Sequence, residues 1–315
     1  MDAPVTPQLR QDYWDLRRRQ HHIQLLTPRQ VHEREPLVRA ESNMWAFHTP
    51  FSGYVDPMQT VHAFMQAALD TGKVTLTEHT EVVELIPSNN HTGPHMLVLN
   101  NGLTVRAHTV LLCTGIGGQH LLQYMHETSD TIPDEYLITP VEGTMWTMSP
   151  QGSHPLSHII YTTGSNEYWR DHTTTPPRCT HLHNGQTLTH HLYGRPSATY
   201  DIDDCGAQFG AGRMPPFSTL TNHRHIEQKA LIQKGIQTVE STFDLVADGD
   251  VDEDSLPKWS GHMPFSSTGR PIVCEMHPGI WIVNGFGPKG MMLGPAVASW
   301  LATILQVTSK QTDTE

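Results

Sequence analysis

The chain has 315 residues, 37% hydrophobic and 17% charged, with a formal net charge of -12. That acidic surplus repels phosphate backbones and disfavours nucleic acid as a partner. Mean hydropathy is -0.40, and no apolar run reaches about 20 residues, the length that crosses a bilayer, so no membrane association is expected. The length suits two interleaved domains better than one. The opening residues lack a basic stretch followed by an apolar one, and Cys113, Cys179, Cys205 and Cys274 are scattered without a C-x-x-C pair. Both features predict a cytoplasmic, reducing location.

In chain order, residues 1–50 read as helical. Leu9, Tyr13, Leu16 and Arg17 fall at helical spacing, and Thr27-Pro28 opens a second helix as N-cap and first turn. Glu35-Pro36 ends that helix. Asp56 and Pro57 repeat the start signal for a helix over Val61, Phe64, Met65, Ala68 and Leu69, with Gly72 beyond its end. Short strands follow at Val74–Thr77, Thr80–Ile86, His95–Leu99 and Leu103–Arg106, and Asn100-Asn-Gly102 makes a hairpin turn. Thr109–Gly115 is apolar on both faces, the pattern of a buried central strand, and the glycine at its carboxyl end leaves room for a ligand.

From about residue 138 the texture changes to short β-like segments separated by Gly, Pro, Ser and Thr turns, which reads as a mostly antiparallel sheet. A helix is expected over Ile226–Glu240. Two further strands then lead back to the apolar strand Ile280–Val283. His181, His183, His190 and His191 alternate with Thr and Leu like a strand. Successive side chains of a strand face opposite ways, so no metal site is expected there.

The closing stretch carries the most chemistry. Ile280–Val283 runs through Gly285, Gly287 and Gly290 into an apolar helix expected over Pro295–Leu305. Glycines let a ligand reach the backbone, and first-turn amides carry the positive end of the helix dipole, so a strand entering a helix this way makes an anion site. The turn also matches G-x-G-x-x-G, but no second strand with its acidic residue follows, so this unit closes a fold and does not open one.

Several stretches together resemble the D-amino-acid-oxidase-like family of FAD-dependent oxidoreductases, which includes glycine and sarcosine oxidases. They are Gly53-Tyr-Val-Asp-Pro57, Val82–Leu85, Val110–Gly115, Thr139-Pro-Val-Glu-Gly143 and Tyr193-Gly-Arg-Pro196. Trp259–Pro264, Gly269–Ile272 and Gly285–Gly290 complete the set. The order of these parts spans nearly the whole chain. The family's opening strand, glycine turn and acidic ribose ligand have no counterpart in the sequence. The expectation is therefore an N-terminally incomplete chain or a subunit completed by a partner.

The resemblance implies a mixed α/β fold: the remainder of a Rossmann-like FAD-binding domain, with an inserted, mostly antiparallel β substrate domain. Residues 1–50 would be a helical segment of the substrate domain, 51–137 and 259–306 two parts of the FAD-binding domain, 138–258 the inserted domain and 307–315 a polar tail. It also implies non-covalent FAD, because no cysteine stands beside the closing segment. Val83 falls on the adenine-side strand. Cys113, Thr114 and Gly115 fall on the first glycine turn, and Gly285, Phe286, Gly287, Pro288, Lys289, Gly290 and Met291 on the flavin-side turn. Met263 stands where several relatives carry a carboxylate-binding arginine, which leaves Tyr193, Arg195 and His262 as the substrate-contacting candidates. Trp259 is expected in the core. The implied activity is oxidation of a C–N bond of a small amine or amino acid by hydride transfer to the flavin. The competing reading is a non-catalytic scaffold or adaptor.

Overall fold

The structure, a computed structural model, describes residues 7–19, 22–39, 44–89, 93–123, 133–150, 155–161, 179–181, 187–189, 192–196, 207–214, 232–233, 235–247 and 258–312. In chain order the first elements are α1 (Pro7–Arg19), β1 (Gln24–Leu26), α2 (Pro28–Arg34), β2 (Ala46–His48), α3 (Pro57–Leu69), β3 (Val82–Ile86), β4 (His95–Leu99), β5 (Thr104–Ala107), β6 (Val110–Leu112) and α4 (Gln119–Gln123). They are followed by β7 (Ile138–Pro150), β8 (Ile160–Tyr161), β9 (Cys179–His181), β10 (Thr187–Thr189), β11 (Tyr193–Pro196) and β12 (Ala207–Met214). A helix over residues 235–242, here α5, precedes β13 (Leu245–Ala247), β14 (Lys258–Ser266), β15 (Ile272–His277), β16 (Ile280–Asn284) and α6 (Gly290–Thr312). The mixed α and β class expected from the sequence is the class observed, with mostly antiparallel sheets.

The chain divides into two compact units. One holds Met1–Asp56, Glu142–Thr180 and Leu188–Gly261. Its sheet runs in the order β13-β7-β12-β11-β8, with β14 also paired to β7. Its core is built from Trp146, Met148, Phe209, Ile236, Val239, Phe243 and Leu245, each at most 2% exposed. Helix α2 starts as the sequence predicts. The Gln30 amide donates to Thr27 Oγ1 at 3.3 Å, and the Thr27 amide donates to Gln30 Oε1 at 3.0 Å, closing a reciprocal cap.

The other unit holds Pro57–Val141, His181–Thr187 and His262–Glu315. It has an antiparallel sheet β3-β4-β5 and a second sheet β15-β16-β6, in which β16 and β6 are parallel. Leu85, Leu112, Leu121, Leu122, Ile280 and Ile282 form its core. The β4–β5 hairpin turns at Gly102, whose φ of 81° requires glycine.

Six expectations change. Residues 1–50 are only partly helical, since β1 and β2 pair antiparallel within them. Strand β6 is shorter than Thr109–Gly115 and lies at a sheet edge, and Leu111 is exposed between buried Val110 and Leu112, so one face of the strand is uncovered, not both buried as expected. Val74–Thr77 forms no strand. Helix α3 buries none of its residues, and Met58, Val61 and Phe64 face solvent. Helix α6 begins at Gly290, with Pro295 inside it. Trp259 is exposed, as is Ser260 beside it, near the start of β14. Of the helix expected over Ile226–Glu240, residues 226–231 and 234 lie outside the described residues.

Phe209 is fully buried, and its ring lies where a Cβ on Gly194 would stand. Phe209→Ala is expected to lower stability by about 3–5 kcal/mol, read as a lower urea midpoint by circular dichroism.

Candidate functional site

In the second unit, the parallel pair β6 and β16 brings two glycine turns to the same end of one sheet. Ile280 pairs with Val110, Trp281 with Leu111 and Ile282 with Leu112, so both carboxyl ends leave the sheet together. One turn is Cys113–Gly118, entering α4. The other is Gly285–Lys289, entering α6 through a short 3-10 turn, Gly287–Lys289. The carboxyl end of parallel strands is where such sheets leave space for a ligand.

Asn284 joins the two turns. It is 5% exposed. Its Nδ2 donates to the Gly115 carbonyl at 2.8 Å, and its Oδ1 accepts from the Gly285 amide at 2.8 Å. A third piece is tied in by His120, whose ring nitrogens lie 3.0 Å from the Gly117 carbonyl and 3.3 Å from the Val82 carbonyl. Next to Val82, the β3–β4 register shifts between Val82 and Glu84, so Val83 sits in a bulge without a ladder partner. Val83, the Gly115 turn and the Gly285–Met291 turn therefore belong to one bonded assembly.

The glycines of this assembly differ in purpose. Gly115 has φ 57° and nothing within 4 Å of where a Cβ would stand, so its turn is open to a ligand. Gly285 has φ 73°, but a Cβ there would meet Ser266 Cβ at 2.9 Å and Ile272 at 3.3 Å. Positive φ and close internal packing both require that glycine. At Gly287 a Cβ would make ordinary contact with the Phe265 ring, and the φ of 52° is the constraint. Past the turn, the first amides of α6 have no intrahelical acceptor, and no acid stands in its first turn. Pro288, Lys289 and Met291 are exposed, while Phe286 bridges to Phe265. An open backbone turn, a helix start and a nearby lysine suit the anionic parts of FAD, so these residues fit the group that the family resemblance implies.

Cys113 and Thr114 are exposed. Partial burial pushes the Cys113 thiol above its ordinary pKa even though the residue is exposed overall. Burial also pushes Cys274 up, with a hydrogen bond to Tyr136 opposing.

In the first unit, Tyr193 and Arg195 share one face of β11. Gly194 between them faces the core, against Phe209. Arg195 lies opposite Gln208 on β12, and its Nη2 donates to Gln208 Oε1 at 2.7 Å. Its Nη1 is buried and has no hydrogen-bond partner. Tyr193 lies opposite Tyr161, with the rings 6.4 Å apart and edge-on. Burial raises the Tyr193 pKa, and the Arg195 charge partly opposes this. Tyr193 therefore stays a phenol, able to donate, at neutral pH. His262, the third candidate, is exposed on β14 and belongs to the other unit. His183, His190 and His191 lie outside the described residues. Among the described residues, no group of three His, Cys, Asp or Glu could hold a metal.

The sequence did not single out Asn284, Gln208 or Tyr161. Asn284 left one trace, a polar residue closing an apolar strand. Gln208 and Tyr161 left none, because cross-strand register decides whom they face.

Asn284→Ala strands one buried and one part-buried backbone group. It is expected to cost about 1–3 kcal/mol of stability and to weaken FAD binding, followed by quenching of flavin fluorescence on titration. Cys113 and Cys274 are expected to resist iodoacetamide at pH 7.5 and to label faster as pH rises toward 10. Rapid labelling of both at pH 7.5, by mass spectrometry, would contradict the raised pKa values.

The family model described as FAD dependent oxidoreductase, DAO, matches residues 4–304. A search of curated proteins gives no match. Among solved structures, the chain is similar to glycine oxidase from Geobacillus kaustophilus, with TM-score 0.63 and 19% identity, covering 96% of this chain and 69% of that one. Glycine oxidase from Bacillus cereus gives TM-score 0.63 and 19% identity, covering 94% of this chain and 69% of that one. NikD, an unusual amino acid oxidase essential for nikkomycin biosynthesis, gives TM-score 0.60 and 14% identity, covering 88% and 64%. At these identities the structures show a shared fold. The family match spans nearly all of the sequence, and the chain belongs to the DAO family of FAD-dependent oxidoreductases.

Proposed function

We propose that the chain serves oxidation of the C–N bond of a small amino acid, with the substrate carboxylate held by Arg195. The observation that carries this reading is the buried, unpartnered Nη1 of Arg195. A buried guanidinium nitrogen without an acceptor is costly, and a carboxylate meets it with charge-assisted hydrogen bonds. Gln208 fixes the guanidinium through Nη2. That contact leaves Nη1 as the nitrogen without a partner; it is sealed from solvent, so the carboxylate reaches it by displacing what covers it. Tyr193 adds a phenolic donor, and the Tyr161 ring walls the same face.

When bound, FAD would accept the hydride. The residues proposed to hold it are Val83, Cys113, Thr114, Gly115 and the turn Gly285–Met291. The open Gly115 turn supports this, as does the helix start at Gly290. Those first amides, with Lys289 beside them, would favour negative charge on the cofactor. Two amino acid oxidases among the structural neighbours, glycine oxidase and NikD, support the C–N class.

The test is anaerobic bleaching of the FAD-loaded chain by amino acids, against amines that lack the carboxylate. Amino acids are expected to bleach the flavin and the amines to do so poorly. Arg195→Leu should raise the amino-acid concentration needed by roughly 10- to 100-fold, and Tyr193→Phe by roughly tenfold or less. Equal bleaching by amines, or an Arg195→Leu variant with unchanged demand for amino acid, would remove the carboxylate reading.

A further inference from the structure

The core-facing side of the same sheet holds a second polar cluster. Side chains alternate along β8, so Ile160 faces away from Tyr161. Ile160 packs on the core that contains Phe209. A half-open cavity of about 390 Å³ lies there, lined by Leu26, Val31, Val38 and Ile160 on its apolar side and by Arg34, His48 and His158 on its polar side. That volume suits a small ligand.

The charges of the wall can be assigned one by one. Glu35 is 3% exposed. Its Oε2 accepts from the Ser157 amide at 3.0 Å, Ser157 Oγ at 2.8 Å, the His158 amide at 3.1 Å and His158 Nδ1 at 2.9 Å. Its Oε1 is sealed from solvent and has no partner. Glu35 therefore anchors His158 and offers nothing to a ligand. Arg34 Nη1 lies 2.9 Å from His48 Nδ1, and Arg34 Nη2 donates to Gln24 Oε1 at 3.1 Å. Arg34 has no acceptor role, so His48 Nδ1 accepts and Nε2 carries the ring proton. Burial first, then Arg34 and His158, lower the His48 pKa and keep the ring neutral. Arg34 joins no ion pair among the described residues. It retains three further N–H donors by the guanidinium inventory of five. The wall thus carries two charged side chains, Arg34 without an ion pair among the described residues and Glu35 beside His158, which counters the carboxylate only when protonated.

We infer that this cavity is a ligand site, separate from the Arg195 face, for a small carboxylate with an apolar body. Arg34 and His48 Nε2–H receive the carboxylate, and Leu26, Val31, Val38 and Ile160 receive the body. The site stands without the flavin reading, since no residue of the glycine turns takes part in it.

Calorimetric titration of the full chain with hexanoate tests the site. Saturable binding is expected, weakened about tenfold or more by Arg34→Leu and less by Arg34→Lys. Ala46→Trp, which fills the cavity, should abolish it, and Arg195→Gln should leave the cavity binding in place, removing at most a second, separate binding event. Hexanol, with the same body and no charge, should bind the wild-type chain about tenfold more weakly or worse. That comparison needs no variant and stands even where Arg34→Leu fails to fold. Absence of saturable binding, hexanol binding as tightly as hexanoate, or loss of binding in Arg195→Gln with retention in Arg34→Leu would each overturn the inference.

Discussion

The assembly of the two glycine turns depends on one side chain, the carboxamide of Asn284. Two strands run parallel, and each ends in a glycine turn that leaves backbone groups unpaired. Asn284 donates to one turn and accepts from the other, both at 2.8 Å. A carboxamide can do both at once, which a carboxylate or an ammonium cannot. The bonds lie in a buried place, where an unmade hydrogen bond costs most. The open turn at Gly115 thereby keeps a fixed relation to the start of α6.

The first unit solves a different problem, separating a packing face from a polar face on one short strand. Along β11, Gly194 turns to the core and yields its side-chain volume to Phe209. Tyr193 and Arg195 then share the opposite face. Gln208, directly across on β12, steadies one guanidinium nitrogen and leaves the other unsatisfied. A sheet two side chains deep can in this way present a polar face on one side and a core on the other. On the core-facing side near β8, Glu35 does similar anchoring work, holding the Ser157–His158 turn through a single oxygen.

Much of this was legible in the residues. The cap of α2, the start of α3 at Pro57, the Gly102 hairpin and the antiparallel texture after residue 138 all depend on neighbours within a few positions. Local steric and hydrogen-bonding rules settle them without knowledge of the rest of the chain. The apolar run at Val110–Leu112 misled for a related reason. It records that a strand is apolar, but not how many neighbours it pairs with, and here it lies at an edge.

The sequence by itself determined the class of the fold, most helix starts and tight turns, the two glycine turns and the family likeness. All of these are patterns of short range or of order along the chain. Tertiary structure alone decided which glycine is open and which is packed shut, since Gly115 and Gly285 look alike until their surroundings are known. It also decided that Arg195 keeps an unpartnered nitrogen, because that depends on Gln208 standing across from it. Register, burial and cross-strand neighbours are relations between distant residues, and a linear sequence carries them only through the fold they produce.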